Sequence, residues 1–293
     1  RKYGDFNGIA FTNMENLNLT WEVIEKRNIG VDFGILNNKI KFVVDYYVND
    51  ADKLVERFQT PMSLGVPNNQ YTANVGNIRN SGWEFSVDYN VINKKDLTLD
   101  ISANLSLNKN EVVSLSKGID PISTYNIIRE GSSLNTLYGV KYWGVNPANG
   151  NPVYVQNDGS LVQGNLATNN YRVFNPSNPS DIATVAKTPD LMELGNTLPT
   201  YFGAFDFKLK YHNFDFGTLV RFSGGNKIMN VTRLEMLSQN FNNNSTEILG
   251  RWQSVDNPGD GWTPRLRSSS DPIVNGPTVA NSRFIENGDF IKF

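Results

Sequence analysis

Cysteine is absent from the 293 residues, so the chain can hold neither a disulfide framework nor a thiolate metal site. Histidine occurs once, as His212, which leaves a Ser-His-Asp triad or a multi-histidine metal site almost nothing to build on. Neither sign of charge dominates. With 27 basic and 29 acidic residues the formal net charge is -2, and no electrostatic footprint for nucleic acid results. No run of about 18 apolar residues occurs, which excludes a transmembrane helix. A mean hydropathy of -0.40 does not exclude a β-barrel, whose strands alternate apolar and polar residues and so average out low even inside a bilayer. The chain opens on Arg1 without the charged, apolar and small-residue pattern of an export signal. The expectation is that a leader has been removed or that these residues are internal to a longer polypeptide.

What is present is strict two-residue alternation, which puts every second side chain on one face of a strand. Ile29, Val31, Phe33 and Ile35 alternate with Asn28, Gly30, Asp32 and Gly34. After a polar turn at residues 36–39, Ile40, Phe42, Val44, Tyr46 and Val48 alternate with Lys41, Asp45 and Asn49, which reads as a hairpin. A second hairpin joins Trp83, Phe85, Val87, Tyr89 and Val91 to Leu97, Leu99, Ile101, Ala103, Leu105 and Leu107 across residues 93–96. A third joins Tyr201, Gly203, Phe205, Phe207, Leu209 and Tyr211 to Phe214, Phe216, Thr218, Val220 and Phe222 across His212 and Asn213. Residues Phe284 to Phe293 read as the start of another strand.

Tiny turns alternate with long segments, roughly 50–82, 109–198 and 224–283, rich in Asn, Gly, Ser and Pro. Outer-membrane barrels have this asymmetry, with short periplasmic turns and long extracellular loops, whereas a soluble sandwich shows turn signals every 8 to 12 residues. Trp21, Tyr46, Trp83, Tyr89, Tyr201, Tyr211, Phe214 and Phe222 fall toward the ends of the alternating runs, as interfacial aromatic girdles do. The fold expected is all-β, a transmembrane antiparallel β-barrel. Ile29, Phe33, Phe42, Val87, Ile101 and Phe207 would face lipid, and Asp32, Asp45, Asp88 and Lys208 the lumen.

Several motifs add a family resemblance. Asn16-Leu17-Asn18-Leu19-Thr20-Trp21-Glu22 followed by Asn28-Ile29-Gly30-Val31-Asp32-Phe33-Gly34 resembles a passage of SusC-like (SusC/RagA) TonB-dependent outer-membrane transporters. So do Asp45-Tyr46-Tyr47, Pro61 with Gly65, and the stretch from Asn74 to Glu84. Tyr138-Gly139 with Gly144, Pro199-Thr200-Tyr201-Phe202-Gly203 and the stretch from Asn281 to Phe290 complete an ordered set over essentially the whole chain. The resemblance implies a 22-stranded barrel, plugged by an N-terminal domain and energised by the TonB complex. It implies import of an oligosaccharide or peptide across the outer membrane of a member of the Bacteroidota, together with a SusD-like surface lipoprotein. Residues 1–293 would then be a partial barrel domain of about seven or eight strands, without plug or signal peptide and with further C-terminal strands missing. An outer-membrane adhesin or structural barrel is the alternative, and a secreted glycan-processing β-protein a third.

No catalytic constellation stands out, no cofactor or metal is expected, and the chain reads as a non-enzyme. His212 sits in a tight turn. Asp32, Asp45, Glu84, Asp88 and Asp100 lie on polar strand faces, where lumen lining accounts for them without glycosidase chemistry. Asp256, Asn257 and Asp260 lack the spacing of an EF-hand. The ligand or partner candidates are loop residues: Tyr138, Tyr142, Trp143, Trp252 and Trp262, whose flat faces suit sugars. Arg251, Arg265 and Arg267 add donors for carboxylates or peptide ends. Loop packing or contact with a partner subunit is the competing account of each.

Overall fold

The computed structural model describes residues 2–3, 6–7, 14–60, 62–115, 122–165, 170–237, 243–266 and 280–293. A short ribbon pairs β1 (Lys2–Tyr3) with β2 (Phe6–Asn7). A wall follows from β3 (Val23–Ile35), β4 (Ile40–Gln59), β5 (Gln70–Lys94) and β6 (Leu97–Leu115). The chain next builds a second sheet from β7 (Asn126–Ile127), β8 (Thr136–Val145), β9 (Pro152–Val155), β10 (Leu161–Asn165), β11 (Asn170–Val173), β12 (Val185–Ala186) and β13 (Leu191–Gly195). It returns to the wall as β14 (Tyr201–Tyr211) and β15 (Phe214–Gly224), then passes through β16 (Lys227–Met229), helix α1 (Val231–Met236), β17 (Ala280–Asn281) and β18 (Ile285–Asn287). It rejoins the wall at β19 (Phe290–Lys292). The wall is one antiparallel sheet of seven strands, ordered β19-β15-β14-β6-β5-β4-β3.

Register fixes which residues share a face, because directly opposed residues of an antiparallel pair point the same way. Phe33 opposes Phe42, Phe42 opposes Val87 and Val87 opposes Ala103. On neighbouring rows Tyr89 opposes Ile101 and Ile101 opposes Phe207. All the alternating apolar sets therefore lie on one face, and it is left bare: Ile29 is 71% exposed, Phe216 60% and Ile291 69%. Water would make so large an apolar patch costly, whereas hydrocarbon welcomes it. Gly30, Asp45, Glu84 and Ser106 run across the opposite face, as do Asp100 and Lys208. The three tight turns share one end, tied by Asn90 N–H to the Lys39 carbonyl and His212 N–H to the Asp96 carbonyl, both at 2.9 Å.

The apolar face has a sharp upper limit. One pairing row crosses Tyr46, Trp83, Leu107 and Tyr201, with the Tyr46 and Trp83 rings 4.9 Å apart. Two rows beyond, the same face carries Glu25, Asp50, Arg79 and Glu111, with Arg79 Nε 2.6 Å from Asp50 Oδ1. On β14, Tyr201 and Tyr211 bracket ten residue steps, about 34 Å of strand and about 24 Å of height at a 45° tilt, which matches the apolar band of an outer-membrane barrel.

Segment 50–82, expected to be a long connection, is mostly strand. β4 runs on to Gln59 and β5 starts at Gln70. The alternation that signals a strand disappears there for two reasons. Neither face of a ribbon standing clear of the bilayer must be apolar, and bulges between Ala51 and Leu54 and between Asn77 and Ile78 shift the phase. The strand expected from Phe284 to Phe293 is likewise broken into a 3-10 turn at Ser282–Phe284, then β18 and β19. Trp21, expected in a girdle, precedes β3 and is 92% exposed.

The segments expected as loops at 109–198 and 224–283 contain the second sheet, ordered β12-β11-β10-β9-β8-β13, with β7 and β17 also on β8. Its core is Val140, Tyr142, Tyr154 and Val162, each worth about 1.5–3 kcal/mol of burial. Gly139 is what lets β17 run beside β8, since a Cβ there would strike the Ala280 backbone.

Candidate functional site

A cavity of about 880 Å³ lies on the polar face of the wall, between it and β13 with the neighbouring connecting segments. Three rows of the wall supply its floor. Lys26, Asn49, Asn80 and Asn110 form one. Asn28, Tyr47 and Asn108, with Gly82 between the last two, come from the next row, and Glu84 comes from the third, which it shares with Gly30, Asp45 and Ser106. Gly82 is needed because a Cβ there would meet the Tyr47 ring, which crosses it so that its hydroxyl donates to Asn108 Oδ1 at 2.5 Å.

The roof is a strap over residues 129–134 and the β13–β14 connection. Asn110 fastens the strap. Its Nδ2 donates to Asn80 Oδ1 at 2.7 Å, while its Oδ1 accepts from Leu134 N at 2.7 Å and Ser133 Oγ at 3.2 Å. Glu193 on β13 accepts from Ser132 Oγ at 2.8 Å and pairs with Arg129 at 3.3 Å. Asn196, Leu198, Pro199, Thr200 and Phe202 close the remaining side. The lining is thus amide and hydroxyl groups with both signs of charge, suited to holding a neutral or zwitterionic polar chain by hydrogen bonds.

The loop candidates fall elsewhere, and none of those described lines this cavity. Tyr142 is buried in the second sheet. Its hydroxyl donates to the Trp262 carbonyl at 2.8 Å, its ring meets Tyr154 and Trp262 edge-on, and burial pushes its ionisation up. Trp252 donates from Nε1 to the Pro147 carbonyl at 2.8 Å and packs on Gly150, whose carbonyl accepts from Arg265 N–H at 3.1 Å. Tyr138 lies 5.1 Å beneath the Arg129 guanidinium, and Arg251 turns back toward the Ile248 carbonyl at 3.5 Å. Trp143 packs against Phe174 yet stays 45% exposed, and Trp262 stays 38% exposed. Arg267 lies outside the described residues. His212 occupies the expected turn with φ of 50°. Asp260 caps its own loop, accepting from Trp262 N and Thr263 N.

Of the cavity residues, sequence places Asn28, Asn49 and Glu84 on polar strand faces, Glu84 as lumen lining, and does not single out the others; for those on the wall one signal is available, that they continue the polar phase of each strand past its last apolar partner. Arg283 was also missed. It is 2% exposed between the Phe284 and Tyr142 rings, at 5.0 and 5.8 Å, its Nε and Nη2 lack hydrogen-bond partners, and burial lowers its basicity.

A sheet with one bare apolar face, one polar face and all tight turns at one end is a section of transmembrane β-barrel wall. Residues 2–189 match the family described as TonB dependent receptor-like, beta-barrel, and the chain belongs to that family, one of receptors and transporters rather than enzymes. It is 26% identical over 303 residues to TonB-dependent receptor P3 of Formosa agariphila, covering 98% of this chain and 28% of that protein. A 105-residue stretch is 39% identical to TonB-dependent receptor SusC of Bacteroides thetaiotaomicron, covering 36% of this chain and 10% of that one. In fold the chain is similar to the structure of the RagAB peptide transporter, with a TM-score of 0.76 at 21% identity, covering 100% of this chain and 30% of that one. The chain spans less than a third of the length of these relatives.

Proposed function

We propose that residues 1–293 are part of the barrel domain of a longer outer-membrane protein that imports a nutrient, oligosaccharide or peptide, in a TonB-dependent manner. The observation that carries this reading is the polar cavity on the inner face of the wall, placed beside the row where the outer face turns from aromatic to charged. A nutrient held there is at the lumen mouth, inside the barrel and above most of the membrane span. Plug and TonB contact belong to other parts of the full polypeptide in this reading. A SusD-like lipoprotein caps the second sheet, with the exposed faces of Trp143 and Trp262 among the contacts to it or to the nutrient.

The test is uptake by intact cells carrying the full-length gene. Labelled casein peptides or labelled malto-oligosaccharides should enter, and entry should stop when the gene is deleted or a protonophore collapses the inner-membrane potential. Trp143→Ala with Trp262→Ala should reduce entry while outer-membrane abundance stays constant. Normal entry of every labelled nutrient in the deletion strain would leave an adhesin or structural barrel as the better reading.

A further inference from the structure

Resting on that import reading, we propose that the cavity selects extended oligopeptides over oligosaccharides, by main-chain recognition from the asparagine rows of the wall. The first support is spacing. Successive lumen-facing rows of the wall are about 6.8 Å apart along each strand, the interval at which an extended peptide repeats same-facing amides. A peptide lying over β3 to β6 therefore meets carboxamides in two successive rows, Asn49, Asn80 and Asn110 in one and Asn28 and Asn108 in the next, and each carboxamide offers the same donor and acceptor pair as a peptide group.

The second support is which of those groups remain unspent. Among the described residues, Asn28 and Asn49 make no side-chain hydrogen bond. Asn80 and Asn108 use only Oδ1, toward Asn110 and Tyr47, and keep Nδ2. The third support is the aromatic complement. Broad flat faces suit sugars by stacking, yet among the described residues no tryptophan lines the cavity, and its rings there are Tyr47, committed to Asn108, and Phe202. Finally, Lys26 on β3 and Glu84 on β5 stand two row steps and two strands apart on the same face, about 14 Å along the strands and about 10 Å across them, a span of about 17 Å that about four extended residues bridge with a hydrogen bond at each end. Lys26 suits a terminal carboxylate and Glu84 a terminal ammonium, so the shortest ligand held at both ends is about a tetrapeptide.

The experiment uses the full-length transporter purified from outer membranes with any lipoprotein that accompanies it. It is incubated with a tryptic casein digest or with maltohexaose, and retained molecules are identified by mass spectrometry after gel filtration. Peptides of about four residues or longer should be retained and maltohexaose should not. Asn28→Ala with Asn49→Ala, which breaks no internal hydrogen bond, should cut peptide retention about tenfold, the loss of two ordinary hydrogen bonds. Abundance and heat-modifiability should not change. Retention of maltohexaose instead of peptides, retention of neither, or peptide retention indifferent to the double variant would each overturn the proposal. The uptake assay separates these outcomes from failure of the import reading, because labelled malto-oligosaccharides would still enter cells if only the substrate class were wrong.

Discussion

Phe207 and Lys208 are adjacent on β14 yet live in opposite solvents. Phe207 shares its face with Ile101 and Thr218, while Lys208 opposes Asp100 and lies 3.3 Å from Asp206. Phe207→Arg in the full-length protein should therefore cost about 2–4 kcal/mol in a urea titration of folding into lipid bilayers, whereas Lys208→Ala should cost well under about 1 kcal/mol. Equal costs would reverse the assignment of faces. Arg283 poses a different residue-scale problem, a buried guanidinium held by two aromatic rings with donors left over. Cation–π attraction offsets only part of the desolvation of such a group. Arg283→Met, which keeps volume and removes the charge, should leave resistance of the second sheet to limited proteolysis unchanged or raised. Arg283→Ala should lower it by opening a void. A loss with Met as large as with Ala would show that the charge itself holds the sheet.

At the scale of elements, α1 is tied down by ionic contacts that define a pH window. Arg233 meets Glu247 through Nη2 at 2.6 Å and Nε at 2.9 Å, and its guanidinium holds the Glu247 carboxyl below the usual range. A carboxyl depressed on folding contributes stability above its unfolded value, about 4.3, and loses it as pH falls through the folded value. Hydrogen exchange at Leu234 and Leu237 should accelerate as pH drops below about 4 after correction for intrinsic rates. Glu247→Gln should abolish that extra acceleration, and its persistence in the variant would acquit the pair. The same scale explains what was legible in the sequence. The hairpins at residues 36–39, 95–96 and 212–213 could be read because bilayer contact demands apolar side chains at every second position from Ile29 to Ile35 or Tyr201 to Phe222. Above Tyr46 and Trp83 no such demand exists, so the outer halves of β4 and β5 looked like loop. The second sheet hid for another reason: β7, β12 and β17 have two residues each, too few for any period, and they are held by tertiary contacts alone. Its aromatic residues resembled ligand platforms because Tyr142 or Trp252 gives no sign in sequence of whether its neighbour is a sugar or another ring.

For the whole molecule the governing fact is the state of the sheet edges. β3 pairs on one side only, with β4, and β19 covers just Arg221 to Ser223 of β15, leaving its other positions from Phe214 to Val220 unpaired on that side among the described residues. Backbone groups in hydrocarbon must be satisfied, so these edges call for further strands of the same barrel. Expressed alone, residues 1–293 should give aggregates, or material soluble only in denaturant. A monodisperse, heat-modifiable barrel from this piece would mean that the wall closes on itself.

Past Tyr46 the wall stays four strands wide as far as Asp52 and Gly76, and β4 and β5 then run on together from Lys53 to Gln59, seven residues or about 24 Å beyond the last partners on β3 and β6. On the import reading this end faces outward, so antibodies and bacteriophage approaching the cell would meet this two-stranded extension before they met the membrane. What they would recognise is a shape made jointly by both strands, so a synthetic peptide copied from either strand alone would be a poor immunogen and a poor decoy.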